Sequence, residues 1–175
     1  NFEGRHRNLL EIFESRAADM EDALEPHAQL NKTQRGLIGA YFLNEYSFEA
    51  SALFNPSIVR HPDQTGAPEH GCRFILSLRA VGEGHISSLT FRSGTIAADG
   101  GVSVDPTARL ASIPKIRNRT SGHNGDDVEV IFGPNEELSE RVIFPITDAQ
   151  SNGIEDARFV EFNDDGRRTY YATYT

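Results

Sequence analysis

The hydrophobic pattern changes character once along the chain. In the first forty-five positions Leu9, Phe13, Ala17, Met20 and Leu24 recur at spacings of four, four, three and four, which lines one face of a helix. The acidic Glu11, Glu14, Asp19 and Glu21 fall largely off that face. The spacing predicts a helix over about residues 5–24, ended by Pro26, because proline disfavours helical geometry in the residue before it. A second helix is predicted from a Thr33 cap, with Leu37, Ile38, Tyr41 and Phe42 as its apolar stripe. Residues 1–46 thus read as a helical hairpin.

From Phe48 onward short alternating runs replace the helical spacing. Residues 73–79 and 86–92 are strand-length and are joined by a connection, 80–85, that holds two glycines, which predicts a β-hairpin. Alternation places Phe74, Leu76 and Leu78 on one side of the first strand and Arg73, Ile75, Ser77 and Arg79 on the other. Further runs at 128–132, 142–146, 157–162 and 169–175 continue the theme, with Asn163-Asp164-Asp165-Gly166 as a turn between the last two. Antiparallel strands after a helical prelude predict a mainly β region over 47–175, and a sandwich, a barrel or a propeller all satisfy the pattern. Residues 100–127, with Pro106, Pro114 and a polar end, read as one long loop.

Composition narrows the partners. With 175 residues, 38% hydrophobic and 25% charged, the chain is long enough to bury a core. Seventeen basic against twenty-six acidic residues give a formal charge of −9, which argues against nucleic acid and anionic membrane as partners and favours a neutral or small polar substrate. Cys72 is the single cysteine, so an intramolecular disulfide and a thiolate metal cluster are both excluded. His61, His70 and His123 lack metal-ligand spacing, and no metal or organic cofactor is expected. No apolar run approaches the roughly 18 residues that span a bilayer, and the first residues are charged where a signal peptide is apolar, so a soluble, cytoplasmic protein is expected. The start at Asn1 and the end inside a β-branched and aromatic run, 169–175, lead to the expectation that this is the N-terminal portion of a longer protein.

Four strings carry a resemblance. Asn152-Gly153-Ile154-Glu155-Asp156-Ala157-Arg158, followed by a hydrophobic strand, a turn and Tyr170-Tyr171-Ala172-Thr173-Tyr174-Thr175, resembles the Gly-x-Glu-Asp-Pro-Arg block and Tyr-Tyr-x-x-Tyr-Thr strand of glycoside hydrolase family 130. Phe54-Asn55-Pro56-Ser57, then Phe74-Ile75-Leu76-Ser77-Leu78-Arg79, then Phe91-Arg92-Ser93-Gly94, are similar to that family's first blade in the same order. The resemblance covers roughly residues 50–175. It implies a five-bladed β-propeller, of which this chain holds the helical prelude and about two blades, so that the chain alone is inactive. It also implies an enzyme that cleaves β-mannosidic or related glycosidic bonds by inverting phosphorolysis or hydrolysis, with inorganic phosphate as the co-substrate of the first. The family's phosphate-binding residues lie mostly beyond Thr175, and in some relatives N-terminal helices join subunits, which implies a homo-oligomer. Ala157 stands where the family usually has proline, and Gly82-Glu83-Gly84-His85 departs from the best-known phosphorylases, as in a divergent branch.

Glycoside cleavage needs an acid at the leaving oxygen and a nucleophile from the opposite face of the sugar. By resemblance Asp156 is that acid, working through a sugar hydroxyl in the phosphorylases, with Glu155 beside it. Arg79 is expected to point into the sugar pocket, where a guanidinium donates several hydrogen bonds. Arg92, Arg158 and Asn55 are further candidates for substrate binding, and Glu83 and His85 form a candidate acid and base on a glycine-rich connection. Each has a structural alternative: a strand start meeting Arg158, arginines solvated at a blade edge, a turn cap at Asn55, and an exposed loop pair. The functional alternative is a non-catalytic propeller that binds carbohydrate or protein.

Overall fold

The computed structural model describes residues 2–20, 29–112, 114–119 and 127–175. The chain divides into two compact units, Asn1–Tyr46 and Ser47–Thr175. It is mainly β, with two helices preceding the antiparallel sheets. Among the described residues no helix is long and apolar enough to cross a membrane.

In the first unit α1 spans Leu9–Asp19 and α2 spans Lys32–Phe42. The helical spacing reached back to residue 5, but α1 begins only at Leu9; Leu24 and Pro26 lie outside the described residues. Asn31, rather than Thr33, caps α2. Its carboxamide oxygen accepts the Gln34 N–H at 2.9 Å, and the Gln34 side chain accepts the Asn31 N–H at 2.9 Å. This reciprocal box satisfies two otherwise unpaired donors and leaves Thr33 inside the first turn.

The second unit is built on a sheet in the order β1 (Ala52–Arg60), β2 (Cys72–Val81), β3 (Ser87–Ile96), β4 (Val102–Val104). The β2–β3 ladder is unbroken from Cys72↔Ile96 to Val81↔Ser87. The β1–β2 ladder is not: Phe54 faces Arg79 and Ser57 faces Ser77, so Asn55 and Pro56 together oppose Leu78 alone. That is a β-bulge, a feature that re-aims a side chain and is common beside active sites. Two further two-stranded sheets follow, β5 (Lys115–Arg119) with β6 (Asp127–Ile131), and β8 (Arg158–Asp164) with β9 (Arg167–Thr173). Residues 100–127 are therefore not one loop, because β4 and β5 form within them. The run at 142–146 yields only the two-residue β7, Val142–Ile143, paired with β3; Pro145 has no N–H to continue a ladder. Asp165 and Gly166, at φ 47° and 84°, make the tight β8–β9 turn, both central residues being left-handed as a type I′ hairpin requires.

The core lies on the sheet face that carries Leu89 and Phe91. Ile154 and Ala157 bury there, with Ile75, Leu138, Ile143 and Phe159 packed around them; the Phe91 and Phe159 rings meet edge-on, their centroids 6.0 Å apart. The β8–β9 hairpin is tied to the edge of β1 by hydrogen bonds. The Phe159 N–H donates to Ser57 Oγ at 3.0 Å, the Tyr170 hydroxyl to the Arg60 carbonyl at 2.8 Å, and Arg168 to the Pro62 carbonyl at 3.2 Å. An isolated hairpin is marginal in water, so these contacts and the shared core fix where the Glu155-Asp156 segment sits.

Candidate functional site

Local geometry turns the segment Gly153–Arg158 out of the ladder. Gly153 adopts φ 103°, and a Cβ there would lie 2.9 Å from the Ser87 side chain, so only glycine fits. The Ile154 N–H donates to the Ser87 carbonyl at 3.1 Å, and the Ile154 side chain is 1% exposed in the core. Glu155 and Thr175 then exchange both backbone hydrogen bonds, at 2.8 and 3.0 Å, while Arg158 faces Thr173. Asp156 and Ala157 thus oppose Tyr174 alone, which makes a second bulge. Ala157 is buried, and Asp156 takes φ 53°.

The two bulges meet. Asn55, the extra residue of β1, is also left-handed, at φ 47°, and its Nδ2 donates to Asp156 Oδ1 at 2.5 Å. Asn and Asp tolerate this conformation better than other side-chain-bearing residues, and backbone strain of this kind concentrates at functional sites. Arg79 completes the group from β2. Its Nη2 bonds Glu155 Oε1, its Nη1 lies 3.7 Å from Asp156 Oδ1, and its Nε donates to Ser87 Oγ at 3.0 Å. The guanidinium also sits 6.0 Å from the centre of the Phe54 ring. Arg158 Nη1 donates to the carbonyls of Pro56 and Asn55, at 2.9 and 3.3 Å. The Arg79 and Asp156 side chains are 23% and 40% exposed, so a ligand can reach them. Both contacts to Asp156 fall on Oδ1, which leaves Oδ2 as the oxygen open to a ligand among the described residues.

Comparison with protein-family models, curated proteins and solved structures gives no match.

Of the residues singled out from sequence, Asn55, Arg79, Glu155, Asp156 and Arg158 come together, although 76 residues separate Arg79 from Glu155 and 101 separate Asn55 from Asp156. Arg92 does not join them. It faces Leu76 across the ladder, whereas Arg79 faces Leu89, and this register puts the two arginines on opposite faces of the sheet. Arg92 is 7% exposed and bonds Glu49 Oε1 at 2.6 Å and the Phe91 carbonyl at 2.9 Å; it ties the Glu49 segment to the sheet and is not open to a substrate. Glu83 and His85 lie on an exposed turn just past the end of the β2–β3 ladder. That is the end of the sheet that carries Arg79 and Ser87. Ser87 is the participant that sequence reasoning missed: 1% exposed, it takes the Arg79 Nε–H and lies 3.4 Å from Glu155 Oε1. A serine sharing the face of Leu89 and Phe91 was the available signal.

Volume and chemistry do not coincide here. Among the described residues one cavity, of ≈430 Å³, is lined by Val128, Ile143, Ile146, Gln150 and Tyr174 among others, and by none of Asn55, Arg79 or Asp156. A smaller one of ≈160 Å³ lies between the β1–β3 sheet and the β8–β9 hairpin and is wholly apolar. The convergence of charged groups, not the cavity size, marks the site, because polar groups are what orient a polar ligand. Among the described residues no three His, Cys, Asp or Glu side chains gather as metal ligands.

Proposed function

We propose that this chain is the acid-bearing part of a carbohydrate-active enzyme that cleaves β-mannosidic or related glycosidic bonds by inverting phosphorolysis or hydrolysis, with Asp156 as the acid. In this reading the sheet β1–β4, sequential and antiparallel, is one blade of a five-bladed propeller of the kind found in glycoside hydrolase family 130. The β8–β9 hairpin then belongs to the next blade.

The observation that carries the proposal is the meeting of two left-handed bulge residues, Asn55 and Asp156, at 2.5 Å, with Arg79 beside the same carboxylate oxygen. Three segments distant in sequence hold one acid in place and leave its other oxygen for a hydroxyl of the sugar. In this scheme Asp156 Oδ2 delivers the proton, Asn55 and Arg79 orient the carboxyl through Oδ1, and Glu155 holds the Arg79 guanidinium. The nucleophile arrives from the opposite face of the sugar.

The test is turnover of β-mannosides by the full-length protein that carries this chain, with and without inorganic phosphate, in the parent and in Asp156→Asn. General acid catalysis of this kind contributes about 10² to 10⁴ in rate, and a loss of that order is expected. Dependence on phosphate identifies phosphorolysis, and turnover without it identifies hydrolysis. Undiminished turnover in the variant removes Asp156 from the acid role. A parent that binds manno-oligosaccharides but turns none over supports a carbohydrate-binding module instead.

A further inference from the structure

We infer that Arg158 is a positioning residue for the acid site, holding the β1 bulge so that the Asn55 carboxamide stays against Asp156. The inference rests on the reading of Asp156 as the acid, but its placement is a matter of geometry. A bulge removes residues from the ladder. Asn55 and Pro56 are out of register with β2, and their carbonyls are free to accept from another segment. Arg158 donates to both from a single nitrogen, Nη1, at 3.3 and 2.9 Å. One residue further along β8, the Phe159 N–H takes Ser57 Oγ at 3.0 Å. Three consecutive residues of β1, 55–57, are therefore held by two consecutive residues of β8.

The clamp begins two residues after the carboxylate it serves. Asp156 and Arg158 flank Ala157, which is 3% exposed in the core, so the acid and the clamp are spaced by a buried anchor. Asn55 in turn receives two restraints from the same short segment: its side chain donates to Asp156, and its carbonyl accepts from Arg158. A residue at φ 47° relaxes readily to extended geometry unless surrounding contacts hold it. Losing the clamp lets the carboxamide leave Asp156, and a misplacement of about 1 Å at a reacting group costs on the order of 10²-fold in rate. Because one nitrogen makes both bonds, a lysine at this position can replace them in part; a guanidinium gripping substrate through its planar fork has no such substitute.

The experiment compares the full-length protein that carries this chain with its Arg158→Met and Arg158→Lys variants, reading kcat and KM on the best β-mannoside substrate and the side-chain ¹⁵N–¹H signals of Asn55. In Arg158→Met, kcat is expected to fall about tenfold while KM stays within about twofold, and the Asn55 carboxamide signals move as far as they do in Asp156→Ala. Arg158→Lys returns both readings toward the parent, which a general loss of folding would not produce. A rise in KM with kcat unchanged overturns the inference and makes Arg158 a substrate contact. So do Asn55 signals that stay in place in Arg158→Met. If the parent turns over none of these substrates, the enzyme reading fails, but the Asn55 signals still decide the placement.

Discussion

Arg79 and Arg92 lie on opposite faces of one sheet, each in an ion pair, and the two pairs are built differently. Arg92 is held by Glu49 and by the carbonyl of its own neighbour, with its side chain 8% exposed. Arg79 spreads over Ser87, Glu155 and Asp156, and its side chain is 23% exposed. A charge pair largely shut away from water is costly to break, whereas a more exposed one is worth less to stability and is open to a ligand. The Arg92 pair is thus structural and the Arg79 pair, at the open end of the core face, is where chemistry is possible, although the two residues look alike in sequence.

The largest effect expected from this contrast is on stability. Arg92→Met removes a guanidinium that is 8% exposed and leaves Glu49, 29% exposed, partly solvated, and is expected to cost about 3 kcal/mol in urea unfolding. Arg79→Met, at a more exposed pair, is expected to cost about 1 kcal/mol; equal losses would erase the distinction between the pairs. Gly153→Ala comes between them. Its φ of 103° and the 2.9 Å approach to Ser87 predict a loss of about 2 kcal/mol together with a displaced Glu155, which a shift in the Glu155 and Thr175 amide signals reports. The smallest effect belongs to Asp63, away from either pair. Hydrogen bonds from the Thr65 side chain and backbone, with Arg73 and His61 nearby, hold its carboxyl below the ordinary 3.8. A lowered folded value means that the contribution is fully present above about pH 4 and fades as pH falls through that lower value. The difference in urea midpoint between the parent and Asp63→Asn is therefore expected to be constant near neutrality and to shrink below pH 4.

Much of the strand content was legible because alternation survives where strands are regular. The run at 73–79 falls inside β2, that at 86–92 overlaps β3 from Ser87 onward, and the Asp-Gly pair at 165–166 makes the tight turn between β8 and β9. The strand β1 was harder to see, since Asn55-Pro56 interrupts its pattern, and the interruption is the bulge that the site uses. β4, with three residues beside Gly100 and Gly101, is too short to register as alternation. The Asn31 cap was readable from Gln34 three positions later, and Thr33 drew attention away from it. As for the site, the family resemblance singled out Asp156 and Arg79, but the register that separates Arg79 from Arg92 is set by strand pairing. Nor does spacing reveal that Asn55 and Asp156 both leave their ladders at facing points, because each bulge depends on hydrogen bonds to chain far away.

Asp156→Asn tests the central claim most directly, because asparagine keeps the Oδ1 acceptor for Asn55 and removes only the acid. Turnover of β-mannosides is predicted to fall about 10²-fold or more while the melting temperature stays within about 2 °C of the parent. Full turnover in this variant, or a drop in melting temperature as large as that of Arg92→Met, would contradict the assignment of chemistry to the Asn55, Arg79 and Asp156 cluster.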